Sequence, residues 1–334
     1  VEDAQGGPRF GTYQGSLERV ALDRLQGRWQ PGRPERLLVH KRWLYAFVAT
    51  PEVAALFAIV DLGYASNAFV LAVDLSTQRV LAEATRAGLP RQAAVNGHLG
   101  EGMQASFRAL SPWLRAWRRE GESAYHARLR LGGLRPRLEL DLTLETAGAG
   151  PALTVIAPVE GGVVNVTQKW AGLPASGALR CGGRRYELAG GVGGLDATQG
   201  YLARRTAWRW AFGCGRLEDG ACLGFNLVEG FNEAREDVNE NAVWLGGVLW
   251  PVGRARFRWN HDDPLDRWHV STTDGALDLT FRPVAVHRED RDLVLVRTRF
   301  LQPLGTWEGT VRVGGQTHQV RAVPGVAEDQ SAIW

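Results

Sequence analysis

The sequence predicts an all-β protein built from two antiparallel β-barrels or half-barrels packed together, and three observations predict it. Glycine is far above its usual ~7% share, at 41 of 334 residues, which suits a chain with many tight turns. Long runs of helical periodicity are few, whereas alternation with a period of two recurs along the chain. One aromatic pattern also occurs twice, as Trp43-Leu44-Tyr45-Ala46-Phe47 and Trp208-Arg209-Trp210-Ala211-Phe212.

The repeat extends beyond those strands. The first copy is followed by Ile59-Val60-Asp61 and Asn67-Ala68-Phe69-Val70-Leu71, the second by Leu227-Val228-Glu229 and Asn241-Ala242-Val243-Trp244-Leu245. Self-similarity of this kind decides architecture, and it predicts one barrel in residues 1–160 and a second in 161–334. Phe10-Gly11-Thr12-Tyr13-Gln14-Gly15 resembles Leu304-Gly305-Thr306-Trp307-Glu308-Gly309, which predicts terminal strands in equivalent places. Further strands are expected at 137–145, 153–159, 255–260, 276–283, 293–300 and 309–313. A short helix is expected within 106–120, and a turn at the glycine run 190–194.

Asp219-Gly220 is a strong hairpin signal, because a type I′ turn needs positive φ at both central positions. With a two-residue loop, Trp208 faces Phe231, Trp210 faces Glu229 and Phe212 faces Leu227. Glu229 then sits among Trp208, Trp210, Phe212, Phe225 and Phe231. An acid there loses hydration, and its pKa rises, so Glu229 is the candidate general acid. Asp61, with Trp43 and Tyr45, is its counterpart in the first copy. Asn226 and Asn232 come to the aromatic face if the register is reversed, as groups that orient a ligand. Lys41 and Lys169, the two lysines of the chain, each stand beside a tryptophan run and are expected to contact ligand.

Composition narrows the function. Hydrophobic residues at 45% and charged residues at 22% belong to a globular protein. Basic and acidic residues number 39 and 36 and are interleaved, so no basic stripe points to nucleic acid. Three cysteines without CxxC spacing fit no disulfide scaffold, and a reducing, cytoplasmic location is expected. The apolar stretch 46–60 is too short and too broken to span a bilayer; peripheral membrane contact stays open. Asn260-His261-Asp262-Asp263 lies around a proline between strands and reads as a solvated turn, so no metal is expected. No phosphate-binding loop, nucleophile elbow or dinucleotide fingerprint is present, and no cofactor is expected.

Several blocks resemble a bacterial family known as domain of unknown function 2804. They are Lys41-Arg42-Trp43, Asp61-Leu62-Gly63-Tyr64, Asn165-Val166-Thr167-Gln168-Lys169-Trp170, Gly200-Tyr201-Leu202-Ala203-Arg204, Gly224-Phe225-Asn226-Leu227-Val228-Glu229-Gly230 and the end of the chain from Glu328 to Trp334. Leu44 departs from the acid expected after Lys-Arg-Trp. More distantly, the Trp-x-Trp strand and twin-barrel layout resemble lipocalin-like proteins that include carotenoid hydratases and tocopherol cyclases. That resemblance implies two lipocalin-like barrels and acid chemistry on a hydrophobic lipid or isoprenoid, of hydratase, lyase, isomerase or cyclase type. A non-catalytic lipid carrier or chaperone and a carbohydrate-binding or carbohydrate-processing protein are the competing readings.

Overall fold

The computed structural model describes residues 1–132, 137–293 and 296–334. Helical turns among them are confined to Leu22–Arg24, Gly27–Trp29 and helix α1 (Arg33–Val39). No helix among the described residues is long and apolar enough to cross a membrane.

Two antiparallel sheets make up the rest. The first begins with β1 (Gly11–Gln14), β2 (His40–Ala49), β3 (Val53–Asp61), β4 (Ser66–Asp74) and β5 (Arg79–Gly88). It continues with β6 (Ala93–Val95), β7 (Gln104–Arg108), β8 (Trp113–Trp117), β9 (Ala124–Leu131) and β10 (Leu138–Glu145). β11 (Leu153–Ala157), β12 (Val164–Cys181), β13 (Arg184–Glu187) and β14 (Gly191–Tyr201) complete it. Its main path runs β5-β4-β3-β2-β14-β12-β10-β9-β8-β7-β6. The two ends curl toward each other until β3 and β4 lie against β6, where the Ala93 amide donates to Ser66 Oγ at 2.9 Å. The result is a nearly closed barrel.

The second sheet holds β15 (Arg205–Arg216), β16 (Cys222–Glu229), β17 (Ala242–Leu245), β18 (Val248–Pro251) and β19 (Ala255–Arg258). β20 (Trp268–Thr272), β21 (Leu277–Leu293), β22 (Val296–Val313) and β23 (Gln316–Ile333) follow. In the order β18-β17-β16-β15-β23-β22-β21-β20-β19 they form a half-barrel. The two sheets part in sequence between Tyr201 and Arg205; residue 160 lies in the turn between β11 and β12, both strands of the first sheet. Gly11–Gln14 pairs with β11, and Leu304–Gly309 lies within β22.

Local sequence accounts for the elements that differ from expectation. Residues 106–120 carry no helix: Leu114 and Ala116 point inward and Trp113 and Arg115 outward, a period of two that packs only as a strand. The glycine run turns only as far as Gly190 (φ 81°) and from Gly191 is β14. The short strands expected at 276–283, 293–300 and 309–313 fall in the long β21 and β22, which bend at bulges rather than break, save that residues 294 and 295 lie outside the described residues.

The aromatic repeat is where the sheets meet. β2 and β15 pack face to face with their triplets in step. Trp43 stacks on Trp208 at 6.0 Å, Tyr45 meets Trp210 edge-on at 5.0 Å, and Phe47 meets Phe212 at 5.9 Å. Alternate residues of the second sheet face its own interior, where Phe225, Leu227 and Ala211 pack with Trp307. Gly194 on β14 makes the third rung possible, since a Cβ there would lie 2.4 Å from the Phe212 ring. Gly194→Ala should therefore cost about 1–3 kcal/mol, the usual penalty of overpacking. That cost should appear as a lower urea midpoint at unchanged m-value.

Candidate functional site

The β15–β16 hairpin turns through three residues, not two. Leu217 N donates to Ala221 O, Gly220 N donates to Leu217 O, and Gly220 takes φ 84°. A left-handed glycine closing a three-residue loop is the common alternative to the two-residue turn. It shifts the register by one, and a one-residue shift moves every side chain of a strand to the other face. Trp210 therefore opposes Val228, Phe212 opposes Asn226, and Glu229 opposes Arg209. Glu229 lies away from the aromatic face, 2.9 Å from Arg209 and 3.7 Å from Arg256. Asn226 takes the inward place: it accepts from Trp210 Nε1 at 2.7 Å and donates to Glu240 O at 2.7 Å.

A cavity of about 460 Å³ opens between the sheets above the aromatic rungs. Trp43, Tyr45, Trp208, Trp210 and Phe231 form its aromatic wall, and Val60, Val228, Phe69 and Phe300 extend the apolar lining. Lys169, Asp196, Glu240 and Glu328 place ionisable groups in it.

Two of those acids hold matching register positions. Asp196 on β14 lies opposite Tyr45, the middle aromatic of the first triplet. Glu328 on β23 lies opposite Trp210, the middle aromatic of the second. Their neighbours differ. Asp196 has the Lys169 ammonium at 2.5 Å and also accepts from Thr198 Oγ1 at 3.0 Å. Among the described residues Glu328 is hydrogen-bonded by neutral groups alone: Trp208 Nε1 at 2.7 Å and Gln302 Nε2 at 2.5 Å. Burial, reinforced by the charge of Asp196, pushes the Glu328 carboxyl up to about 7, against those two hydrogen bonds and Lys169. This is the desolvated acid that sequence placed at residue 229.

Lys169 also reaches Glu240 at 3.6 Å. Burial works against the ammonium, but Asp196 and Glu240 outweigh it and hold its pKa above the ordinary value. Burial raises Glu240, which is tied back by Asn232 Nδ2 at 3.0 Å. Asn165 Nδ2 donates in turn to Asn232 Oδ1 at 3.3 Å.

The remaining expected residues fall into three groups. Trp43, Tyr45, Lys169, Trp208, Trp210 and Phe231 line the cavity. Asn226 and Asn232 stand behind it, fixing Trp210 and Glu240. Lys41, fully buried, donates to Leu62 O at 3.0 Å beneath the Tyr64 and Trp334 rings, which do line it; burial lowers its amine to about 7. Phe212 packs below the cavity, Phe225 lies in the second sheet's own core, and Asp61 pairs with Arg42 at 2.5 Å. Asn260–Asp266 is a turn with side-chain-to-backbone bonds, and His269 pairs with Asp278 at 2.8 Å.

The first and last thirds of the chain thus meet at one site, and similarity extends over the same span: the family model described as Domain of unknown function (DUF2804) matches residues 1–334. The chain belongs to this family. No curated protein matches the sequence. Among solved structures, kievitone hydratase from Nectria haematococca is similar with a TM-score of 0.51 at 12% identity, over 98% of this chain and 98% of that one. CghA with Sch210972 gives 0.47 at 11% identity, again over 98% of each chain. The fold is the lipocalin-like twin barrel.

The two ion pairs differ in what they should contribute. Lys169→Met leaves Asp196 buried without a cation and should destabilise the protein by about 3–5 kcal/mol. Glu229→Gln removes a partly exposed pair and should change stability by less than about 1 kcal/mol. Urea unfolding of both variants at pH 7 checks the contrast.

Proposed function

We propose that the chain is a cofactor-independent enzyme that delivers a proton from Glu328 to a hydrophobic small molecule held in the cavity. The reaction class is hydration, its reversal, isomerisation or cyclisation. The observation that carries this reading is a buried carboxyl poised near neutrality on an aromatic wall. Such a group retains a large protonated fraction near neutral pH and delivers the proton where water cannot compete for it. The faces of Trp208 and Trp210 stabilise a carbocation that protonation creates. The carboxylate of Asp196, held by Lys169, supplies a fixed negative charge on the other sheet for the same purpose, or a base to receive a proton. The twin-barrel fold shared with a hydratase supports the reading at the level of architecture.

Organic extraction of the purified protein followed by mass spectrometry identifies a substrate class to assay. Glu328→Gln should then lower kcat by about 10²–10⁴-fold while leaving affinity for the ligand in place. The donor is the protonated form, so wild-type activity should decline as pH rises through about 7. Glu229→Gln should retain the wild-type rate and pH profile. Undiminished turnover in Glu328→Gln sinks the proposal, and ligand affinity without turnover in the wild-type protein favours the carrier.

A further inference from the structure

We propose that the ligand of this cavity is an oxygenated apolar molecule, with an acceptor oxygen (carbonyl or ether) at the Tyr45–Glu328 end and a hydroxyl at the Gln330–Asn67 end, rather than a hydrocarbon. The inference deepens the proposed function and rests on its assignment of the cavity as the ligand site. Tyr45, only 4% exposed, lines the cavity with a buried hydroxyl that has no hydrogen-bond partner in the protein. Gln330, 5% exposed, lines it with an unpartnered Oε1, while its Nε2 donates to Thr298 Oγ1 at 3.4 Å. Asn67 donates through Nδ2 to both oxygens of Glu289, at 3.1 and 3.3 Å, and its Oδ1 has no partner.

The Glu289 carboxylate fixes the chemistry at Asn67, and Gln330, beside the Thr298 hydroxyl, leaves one atom of its amide free for a ligand hydroxyl, which both donates and accepts. A carboxylate accepts only, so Glu289 holds the Asn67 amide with its nitrogen inward and its oxygen free to accept. Gln330, Phe300 and Glu289 pair in succession across β23, β22 and β21, so Gln330 shares a rung with the carboxylate that holds Asn67 across from β4. Glu328 lies two residues from Gln330 on the same face of β23, about 7 Å along the strand. One end of the cavity therefore presents the phenol of Tyr45 beside the acid of Glu328, and the other presents the Asn67 oxygen and the Gln330 amide. A hydrocarbon leaves the free atoms of Tyr45, Asn67 and Gln330 unpaired. Leaving one buried polar group unsatisfied costs about tenfold in affinity, equivalent to about 1.4 kcal/mol.

Tryptophan fluorescence titration with three matched pairs tests this: limonene with carvone, farnesene with farnesol, and 5α-androstane with testosterone. With each affinity corrected for partition into octanol, at least one oxygenated member should bind about tenfold more tightly than its hydrocarbon. Tyr45→Phe or Gln330→Leu should bring that pair to parity without weakening the hydrocarbon. Absence of a tenfold preference in all three pairs, or a preference that survives both variants, overturns the proposal. Neither variant removes the proton donor, so the outcome is independent of Glu328→Gln turnover. The acid mechanism and the ligand class stand or fall separately.

Discussion

Three aromatic contacts between β2 and β15 hold the two sheets at a fixed separation, and the cavity is a consequence of how they are graded. The Phe47–Phe212 rung is dry and close-packed, with Gly194 giving way to the ring. The next two rungs carry polar atoms at their edges, and the two indole N–H groups of β15 are pinned, Trp210 by Asn226 and Trp208 by Glu328. Rings anchored by both stacking and a hydrogen bond lose little further freedom when they form a wall. The space beyond them stays open because large planar side chains prop the sheets apart.

On that scaffold the same register position is used twice with opposite electrostatic results. Asp196 and Glu328 each face the middle aromatic of a triplet, one from β14 and one from β23. A lysine beside the first compensates its charge; a glutamine amide beside the second does not. Taking an uncompensated carboxylate out of water is so costly that the group takes up a proton instead. One cation in the right place thus separates an acid from a fixed anion within a single cavity. Glu240, from the segment between β16 and β17 of the second sheet, gives that cation a second carboxylate partner.

The fold class was legible because period-two alternation and the repeated triplet report directly on pleat and packing. Cavity-lining Trp43, Tyr45, Trp208, Trp210, Phe231 and Lys169 were legible for the same reason. Glu229 was misplaced because Asp219-Gly220 suits a two-residue or a three-residue loop equally, and only packing chooses between them. Asp196 and Glu328 were missed because their surroundings come from strands remote in sequence. The available signal was an acid at alternating spacing with apolar and amide neighbours, Val326-Glu328-Gln330, but the Pro324-Gly325 pair just before it reads as a turn. That pattern marks a buried polar position but does not name its partner. Residues 106–120 show the converse, where arginines between small apolar residues imitate a helix face and alternation decides for strand.

The separation along the chain between Glu328 and Trp208 has a kinetic consequence. These partners lie 120 residues apart, whereas Lys169 and Asp196 are separated by 27. Contacts between near neighbours form before distant ones, because loop-closure entropy grows with the length enclosed. Loop closure thus favours the ion pair over the docking of the acid strand. The Glu328 carboxyl, raised from its ordinary range to about 7 by burial, must take up a proton or lose hydration as that strand docks, so the docking step becomes less favourable as pH rises from about 4.5 towards 7.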